Sequence, residues 1–268
     1  MDRKIGCLIM LVSLLPINIG CCEKTRIKPQ CNIDKFMNKL ENVAADDISV
    51  SLFEVKRDLS QAESCCVPEI IKYLENEHLF CRLAAIYALG EIGDSRAVEP
   101  LVEMLADPDP QILQETVESL AKLADPRSVE PLIHLWEKDR QTKGGIIAHA
   151  ISKIPNERSV LVMIDALYDD DPWIRGIAAT TLGELGDARA VNPLVNSLKD
   201  HEWEVRYSAA ASLGKIKNQV SIQPLIERLN DSDMRVRQMS YESLKKLTGQ
   251  SLSNSYLDWV DWFKKKSQ

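Results

Sequence analysis

The side chains that most often do chemistry in proteins are sparse in this sequence. It contains four histidines, His78, His134, His149 and His201. The zinc-protease pattern H-E-x-x-H, the phosphate-binding pattern G-x-x-x-x-G-K-[ST] and the nucleophile elbow G-x-S-x-G are all missing from it. We therefore predict no catalytic residues, no metal site and no cofactor.

Seven cysteines are present, and four of them lie beyond residue 22: Cys31, Cys65, Cys66 and Cys81. In an oxidising compartment these four would form one or two disulfides. Adjacent cysteines do not easily bond to each other, so Cys65 and Cys66 would each pair elsewhere, with Cys31 or Cys81 as candidates. The alternative is that they are buried thiols on helix faces. No C-x-x-C pair occurs, which argues against zinc.

The first twenty residues have the pattern of an export signal. Arg3 and Lys4 precede an apolar run, Ile5 to Leu15, that is shorter than the roughly 20 apolar residues of a membrane-spanning helix. The segment ends in Ile-Gly-Cys-Cys and resembles the lipobox of bacterial lipoproteins, in which a cysteine after a small residue carries lipid. The resemblance implies lipidation of Cys21, or of Cys22, and a membrane-anchored protein outside the cytoplasm. The alternatives are an ordinary secretory signal and an uncleaved anchor.

Composition excludes some classes of function. The chain has 268 residues, a formal net charge of −7 and 45% hydrophobic residues. Proteins that bind nucleic acids usually carry a basic surface, whereas this chain has a net negative charge. Nucleic acid is therefore not an expected partner. Alanine and leucine dominate the middle of the chain, which favours helices around a sizeable core.

A repeated phrase shows how the chain is organised. LGEIGDSRAVEPL (Leu89–Leu101) and LGELGDARAVNPL (Leu182–Leu194) agree at ten of thirteen positions and lie 93 residues apart, three times 31. Intermediate copies fill the interval. A leucine ladder with a spacing of 31 comprises Leu89, Leu120, Ile151, Leu182, Leu213 and Leu244. An arginine ladder comprises Arg82, Arg175, Arg206 and Arg237, with Leu113 and Gly144 in the two middle copies, and an aspartate ladder comprises Asp107, Asp169, Asp200 and Asp231.

Each copy contains two helical patterns. In one copy, the first pattern has apolar residues spaced i, i+3, i+4 and i+7, at Val98, Leu101, Val102 and Leu105. The turn Asp107–Pro110 follows, and the second pattern contains Ile112, Val117, Leu120 and Leu123. We expect Asp94 to cap the first helix, and Gly93 and Gly186 to end second helices in the left-handed conformation. The ladder aspartates are expected to cap the second helices, and the ladder arginines to form ion pairs along the stack.

Two short helices cannot bury their apolar faces alone, but stacked pairs share one core. The pattern D-x-x-x-x-R-x-x-A-A-x-x-L-G-x-x-G-D-x-R-A-V-x-P-L, present at 169–194 with one extra residue between Asp and Arg, resembles HEAT repeats of the short type related to phycobilisome bilin lyases. The resemblance covers about residues 64–249. It implies an all-α fold, a right-handed α-solenoid of about six helical hairpins with an N-terminal helical cap and a C-terminal aromatic cap.

The predicted organisation has four parts: a signal segment with lipobox (1–21), a tether and N-terminal helical cap (22–62), the repeat array (63–248) and a C-terminal capping segment (249–268). Ile33 to Ala45 and Ile48 to Leu59 are the predicted helices of the N-terminal cap. Trp259, Trp262 and Phe263 are spaced i, i+3 and i+4, so they are expected to fold onto the last repeat as a lid.

Enzymes with such repeats exist, and the resemblance must be weighed against them. Deoxyhypusine hydroxylases use several His-Glu dipeptides, whereas this chain has only His201-Glu202. Repeats alone do not transfer the activity of a bilin lyase. We therefore predict a non-catalytic scaffold for an unknown protein or peptide partner. The alternatives are a bilin-lyase-like or other accessory enzyme subunit and a purely structural envelope protein.

Partner binding is expected on the second helices, which line the concave face in HEAT-like solenoids. The positions one and five after the arginine slot lie one turn apart and should point outward there. They are Leu83 and Tyr87, Gln114 and Glu118, Gly145 and His149, Gly176 and Thr180, Tyr207 and Ala211, Gln238 and Glu242. The predicted contact residues are Tyr87, Glu118, Gly145, His149, Thr180, Tyr207 and Glu242.

The third full copy, around residues 131–155, departs from the pattern. Lys138 replaces the ladder aspartate, Gly144 replaces the ladder arginine, and Gly144-Gly145 would open the second helix. Glycine there costs roughly 1 kcal/mol of helix stability per residue relative to alanine. We predict a bend or groove near Trp136, Gly145 and His149; simple decay of the repeat is the alternative.

Overall fold

A computed structural model of the protein describes residues 33, 34, 37, 38, 54, 55, 58 and 63–266. All regular secondary structure in this part of the chain is helical. Residues 64–248 form six consecutive helical hairpins, and a last helix follows them. The all-α solenoid predicted from the 31-residue period is therefore confirmed. The lipobox at Cys21-Cys22 and most of the predicted N-terminal cap lie outside the described residues.

The helices follow the predicted two-per-repeat pattern. The first two hairpins are α1 (Val67–Ile71) with α2 (Leu79–Ile92) and α3 (Val98–Glu103) with α4 (Pro110–Leu123). The third hairpin is formed by α5 (Val129–Ser152), which supplies both of its arms. The last three are α6 (Glu157–Ala166) with α7 (Pro172–Leu185), α8 (Val191–Ser197) with α9 (Trp203–Ile216), and α10 (Ile222–Glu227) with α11 (Met234–Thr248). The last helix is α12 (Tyr256–Lys266). Short 3₁₀ turns extend several first helices, at Ser64–Cys66, Lys72–Glu75, Ser95–Ala97, Met104–Ala106, Pro126–Ser128, Ala188–Ala190, Gln219–Ser221 and Arg228–Asn230.

Helix ends are set by local side chains. Asp94 accepts a hydrogen bond from the Arg96 N–H, which caps the turn that leads into α3 as expected. Gly93 and Gly186 end α2 and α7 with φ of 71° and 69°, as predicted for left-handed C-terminal residues. Ala124 and Lys217 adopt the same conformation after α4 and α9, at the steric cost that a non-glycine residue bears there.

The expectation that ladder aspartates cap the second helices is wrong. The N-caps of α4, α7 and α11 lie two residues later, at Asp109, Asp171 and Asp233. The ladder carboxylates of Asp107, Asp169, Asp200 and Asp231 instead accept from the backbone N–H of the residue at i+2, at 2.8–3.0 Å. Each ladder aspartate thus holds the turn before the helix, which leaves its second oxygen for an arginine.

The core runs through all six hairpins as one cluster. Second helices pack in chain order, α2 on α4, α4 on α5, α5 on α7, α7 on α9 and α9 on α11. Every residue of the leucine ladder is at most 1% exposed, as the shared register predicts. The repeated phrase is therefore a unit of stacking, because a hairpin buries its apolar face only against its neighbours.

Glycine–serine contacts join successive second helices. Ser119, Ser212 and Ser243 donate hydrogen bonds to the carbonyls of Ile86, Ala179 and Ala210 in the preceding second helix, at 3.0, 2.8 and 2.8 Å. A Cβ placed on Gly90, Gly183 or Gly214 would lie within 2.3–2.6 Å of these serine hydroxyl oxygens. Glycine in the Leu-Gly pair therefore allows two helix backbones to approach closely.

The two arms of the third hairpin meet at a kink at Asp139, where the other hairpins have a separate turn. Asp139 has φ −141° and ψ 29° inside α5, between the two arms of the hairpin. The bend predicted near Trp136, Gly145 and His149 stays a prediction. Gly144 and Gly145 lie within the helix after the kink, so the expectation that they open it is wrong. Arg140 at the kink forms an ion pair with Asp169 at 2.8 Å, which replaces the ladder arginine missing at position 144.

The two ends of the array are covered by helical residues. Ile33, Met37 and Val55 are helical and at most 3% exposed, and they belong to the core cluster. At the other end, Trp259 of α12 is fully buried and packs edge-to-face against Tyr241 of α11. Its indole N–H donates to the Ser253 carbonyl at 2.9 Å, which satisfies the one polar atom that it buries.

The cysteines follow a mixed pattern. Cys66 is disulfide-bonded, whereas Cys65 and Cys81 are thiols, so the suggested pairing with Cys81 is wrong. Cys81 is buried, and its thiol lies 3.8 Å from the Met37 carbonyl oxygen. It packs as a small apolar residue against the helical segment that precedes the array.

Candidate functional site

The predicted strip of outward positions on the second helices is largely accessible. Glu118, Gly145, His149 and Thr180 are exposed, whereas Tyr87, Tyr207 and Glu242 are partly exposed. Leu83 is only 5% exposed, so the expectation that it points outward is wrong. Leu83 belongs to the core cluster, and so do the buried helical residues that precede the array.

A groove of about 580 Å³ opens at the middle of this strip, between the second half of α5, α7 and the start of α9. We call it the Trp173 groove, since Trp173 forms one wall and is 49% exposed. Its other lining residues are Gly145, Ala148, His149, Pro172, Gly176, Ile177, Thr180, Thr181, Glu184, Glu202, Glu204 and Ser208. It brings together three of the predicted contact residues, Gly145, His149 and Thr180.

Two of the residues that line the groove are glycines, and each leaves open space. Adding a Cβ to Gly176 would meet no atom within 4 Å, and adding one to Gly145 would place it 3.9 Å from the Trp173 ring. Both positions therefore have room for a side chain, which would project into the groove. Gly144 differs, because a Cβ there would lie 3.3 Å from the rings of both Trp136 and Trp173. The absence of a side chain at 144 lets these two indoles approach α5.

A second groove, of about 490 Å³, adjoins the first on the side of α4. We call it the Lys122 groove; its lining includes Glu118, Lys122, His149 and Lys153. A third, of about 410 Å³, is lined by residues that include Gln114, Lys143 and Trp173. Gly145 lines all three grooves, so they meet at this residue. Most other repeats carry a larger residue at the equivalent strip position.

Charges differ between neighbouring grooves. Three glutamates and no lysine or arginine line the Trp173 groove, whereas two lysines and one glutamate line the Lys122 groove. Lys122 forms an ion pair with Glu91 and lies 4.7 Å from the centre of the Tyr87 ring. Desolvation would lower the pKa of Lys122, but the hydrogen bond to Glu91 outweighs it and raises the pKa. The lysine therefore stays charged.

The hydroxyl groups of the Trp173 groove are used within their own helix. Thr180 donates to the Gly176 carbonyl at 3.0 Å, and Thr181 donates to the Ile177 carbonyl at 2.9 Å. Neither hydroxyl is held by a histidine or carboxylate, as an activated nucleophile would be. Nowhere in the described ranges do three or more His, Cys, Asp or Glu side chains come together as metal ligands would.

The arginine ladder lies beneath the loops and is a structural feature. Arg175 and Arg206 each form a two-pronged ion pair with the ladder aspartate of the next hairpin, Asp200 and Asp231, at 2.8–2.9 Å. Each also donates to two carbonyls at the start of its own second helix. Burial raises the pKa of Asp200 and Asp231, but hydrogen bonds from these arginines outweigh it, so both pKa values lie below the usual range. The prediction that arginines pair along the stack is confirmed.

The outer parts of the predicted strip lie beyond the Trp173 groove. Glu118 accepts a hydrogen bond from Gln114 at 3.0 Å, and Glu242 accepts one from Gln238 at 3.1 Å, each within one helix. Tyr207 packs edge-to-face on Trp203, with ring centres 6.5 Å apart. These contacts occupy the side chains locally, so the structure does not bring the seven predicted residues into one site.

Sequence reasoning missed Trp173, Glu184, Glu202 and Glu204. Trp173 precedes Gly176 by three residues and Thr180 by seven, so it shares their helix face, and this spacing was a signal that would have found it. Glu202 and Glu204 belong to the next hairpin. Their approach to the groove depends on how α9 stacks on α7.

No helix within residues 63–266 combines the length and the apolar character needed to cross a bilayer.

Comparison with known families gives one strong result. A family model described as HEAT repeats matches residues 67–152, 98–179 and 160–245, which together span two thirds of the chain. A search of curated protein sequences finds no matching relative.

Several solved structures share the helical arrangement. The complex of CpcE and CpcF of phycocyanin lyase from a Nostoc species is 18% identical, with 96% of this chain and 99% of that chain covered and a TM-score of 0.47. Human deoxyhypusine hydroxylase in complex with glycerol is 17% identical, covering 82% and 96%, with a TM-score of 0.37. An engineered protein is 18% identical, covering 87% and 73%, with a TM-score of 0.48. At TM-scores below 0.5, these similarities say nothing about activity.

Proposed function

This chain belongs to the HEAT-repeat family, and we propose that it is a non-catalytic scaffold that binds a partner protein on the face formed by its second helices. The observation that carries the proposal is the Trp173 groove. Trp173 is half-exposed and lines a groove together with Gly145 and Gly176, and aromatic side chains in partly enclosed pockets are typical anchors of protein interfaces.

The groove favours binding over catalysis. Its threonine hydroxyls are bound to carbonyls of their own helix, and its carboxylates lie at the accessible rim. General acid–base catalysis depends on groups whose pKa is tuned by burial or by a close neighbour. The buried, strongly paired groups of this protein are instead the ladder residues Arg206 and Asp231, which link two hairpins.

We further propose that the scaffold is tethered to a membrane outside the cytoplasm by lipid on Cys21, or on Cys22. The support is the sequence of residues 1–21 alone. Mass spectrometry of the N-terminal peptide from native cells tests this: a mature chain beginning at a lipid-modified Cys21 is expected, and Cys21→Ser should release the protein from the membrane fraction. A chain that retains Met1 without lipid would contradict the tether and leave the scaffold proposal untouched.

The scaffold proposal is tested by site-specific photo-cross-linking of the full-length protein in cells that express it natively. A photoreactive phenylalanine replaces Thr180 in the groove or, as the matched control, Gln223 on the exposed surface of α10. We expect a discrete cross-linked band from position 180 and none from position 223. In a second variant, Gly176→Leu adds an aliphatic side chain at a position where a Cβ meets no atom within 4 Å, and it should abolish the band.

Two measurements guard the interpretation of this experiment. Circular dichroism of Gly176→Leu should show an unchanged helical signal, since leucine is a better helix former than glycine. Equal cross-linking from positions 180 and 223, or a band that survives Gly176→Leu, would overturn the proposal that the groove is where the partner binds.

A further inference from the structure

We infer that the Trp173 groove recognises a cationic side chain with an aliphatic stem, a lysine or an arginine, presented by a segment of the partner protein. The inference rests on the proposed function and names the chemistry of its ligand. It is carried by Glu202 and Glu204, which line the same groove as the half-exposed Trp173, while no lysine or arginine among the described residues lines it.

Glu202 occupies the N-cap position of its second helix, but its side chain does not make the contact that the equivalent residues make in other repeats. Asp109, Asp171 and Asp233 each accept a backbone N–H hydrogen bond as the N-cap of their second helix. Glu202 is the N-cap residue of α9, but its side chain makes no capping hydrogen bond and lines the groove instead. The longer side chain thus gives up a contact that stabilises the start of a helix. Its carboxylate is available to a ligand.

The carboxylates at this rim are not held in close ion pairs, although Arg175 and Arg235 lie near enough to Glu202 and Glu204, respectively, to interact with their charge. Among the described residues, neither Glu202 nor Glu204 has a lysine or arginine within ion-pairing distance of 4.0 Å. Glu184, on the same groove, lies 3.9 Å from Lys215, an exposed contact at the limit of an ion pair. Three carboxylates around one depression attract a cation more strongly than any one of them alone.

The opposite wall suits the stem of such a side chain. The exposed indole of Trp173 and the open space above Gly145 and Gly176 offer an apolar surface beside the carboxylates. Lysine and arginine place their methylene groups on apolar surfaces while the charged end reaches polar partners. A cation placed over the face of an indole is also attracted to its π-electrons. The chain uses the same contact internally, where Arg235 lies 3.1 Å from the centre of the Trp203 ring.

The neighbouring groove gives a built-in contrast. Lys122 and Lys153 line the Lys122 groove, and His149 lies between the two grooves. A basic side chain is repelled from the Lys122 groove and attracted to the Trp173 groove. The preference is therefore local to α7 and α9, rather than a consequence of the net charge of the whole chain.

The test titrates the purified full-length protein with four capped peptides of the form Ser-Gly-Ala-X-Ala-Gly-Ser, where X is lysine, arginine, norleucine or glutamate. Binding is followed by the NMR shift of the Trp173 indole N–H, which is assigned by its loss in Trp173→Phe. We expect the lysine and arginine peptides to bind about tenfold more tightly than the norleucine peptide, and the glutamate peptide to cause no shift. Raising the salt concentration should weaken the lysine and arginine peptides only, because the exposed carboxylates are screened.

Variants separate charge from shape. Glu202→Gln/Glu204→Gln should bring the lysine peptide to the affinity of the norleucine peptide, while Gly176→Leu should abolish the binding of both. The matched control is Glu103→Gln/Glu227→Gln, which removes two exposed glutamates from the first helices α3 and α10 and should change nothing. An unchanged melting temperature of each variant confirms that its fold is intact.

The inference is overturned if no peptide shifts Trp173, if norleucine binds as tightly as lysine, or if the Glu202→Gln/Glu204→Gln variant keeps the lysine preference. The photo-cross-link from position 180 reports separately on the scaffold. A retained cross-link together with failed peptide binding would leave the scaffold in place and remove the cationic ligand. Loss of both would remove the groove as a site.

Discussion

At the scale of single residues, helix α7 shows that one residue type serves two unrelated purposes. Gly183 has no side chain because the Ser212 hydroxyl of the next hairpin occupies that space. Gly176, seven residues earlier, has open space above it and lines the groove. The first glycine is required for packing, whereas the second leaves an opening at the surface.

Alanine substitution should therefore have opposite effects at these two positions. Gly176→Ala is expected to raise the free energy of unfolding by about 0.5–1 kcal/mol, because alanine is the better helix former. Gly183→Ala is expected to lower it by about 2 kcal/mol, because its Cβ would lie 2.8 Å from the Ser212 Cα and helix α9 would have to shift. Urea unfolding followed by circular dichroism measures both values. A stabilising effect of Gly183→Ala would show that helix propensity, and not packing, decides at position 183.

At the scale of elements, the kink in α5 and the helix α12 show how contacts are made where the repeat pattern is interrupted or ends. Arg140, at the kink, takes the place of the missing ladder arginine and binds Asp169. The last hairpin has no following hairpin, and there the Trp259 side chain of α12 is buried against Tyr241. In both places a residue from outside the repeat pattern supplies the contact that the pattern lacks.

Removing the buried indole of α12 should open one end of the array. Trp259→Ala is expected to cost about 3 kcal/mol, the lower part of the range for deleting a buried aromatic side chain. In a repeat protein each unit is stabilised by its neighbours, so the loss should be local to α10, α11 and α12. Hydrogen exchange measured residue by residue should speed up in α11 and stay unchanged in α2 and α4.

Leu257→Ala is the matched control for this experiment, because Leu257 is on the same helix but 68% exposed. Exchange should be unchanged throughout in this variant. Uniformly faster exchange along the whole array in Trp259→Ala would contradict the idea that stability is shared between nearest neighbours only.

At the scale of the whole molecule, ion pairs connect hairpins along the stack. The pairs Arg175–Asp200 and Arg206–Asp231 each join one hairpin to the next, with side chains that are 2–15% exposed. Arg82–Asp107 repeats the contact at 3.4 Å near the start of the array. Because the partners lie in different hairpins, these pairs exist only when neighbouring units are stacked.

The ladder should make the stability of the array sensitive to acid. The pKa values of Asp200 and Asp231 are lowered in the folded state. Their contribution to stability is therefore fully present above the unfolded-state pKa, about 3.9 for aspartate, and is lost as pH falls through the lower folded-state values. The free energy of unfolding, measured in urea, should vary little from pH 7 to pH 5 and fall below about pH 4.

Asp231→Asn provides the comparison. It keeps an acceptor for the Asp233 N–H but leaves the buried Arg206 without its counterion, which should cost about 3 kcal/mol at pH 7. The decline of its stability below pH 4 should be shallower than that of the wild type. Parallel declines would mean that other carboxylates, such as Asp94 with a pKa of about 2, carry the acid sensitivity.

The sequence by itself determined the features that repeat. The period of 31, the two helices per unit, the buried leucine ladder and the left-handed glycines after α2 and α7 all follow from local spacing, because helix periodicity and helix ends depend on residues a few positions apart. The predicted strip residues Gly145, His149 and Thr180 were found together on one groove.

Only the tertiary structure decided which surface becomes a site. Glu202 and Glu204 approach Trp173 because α9 stacks on α7, and Ser212 excludes a side chain at Gly183 for the same reason. Asp231 accepts hydrogen bonds from the backbone of its own turn and from the Arg206 side chain in the previous hairpin. The local sequence pattern could not distinguish this role from that of a helix N-cap. Such contacts join residues about 25–33 positions apart in different repeats. Their geometry is set by the packing of whole helices, which no local spacing encodes.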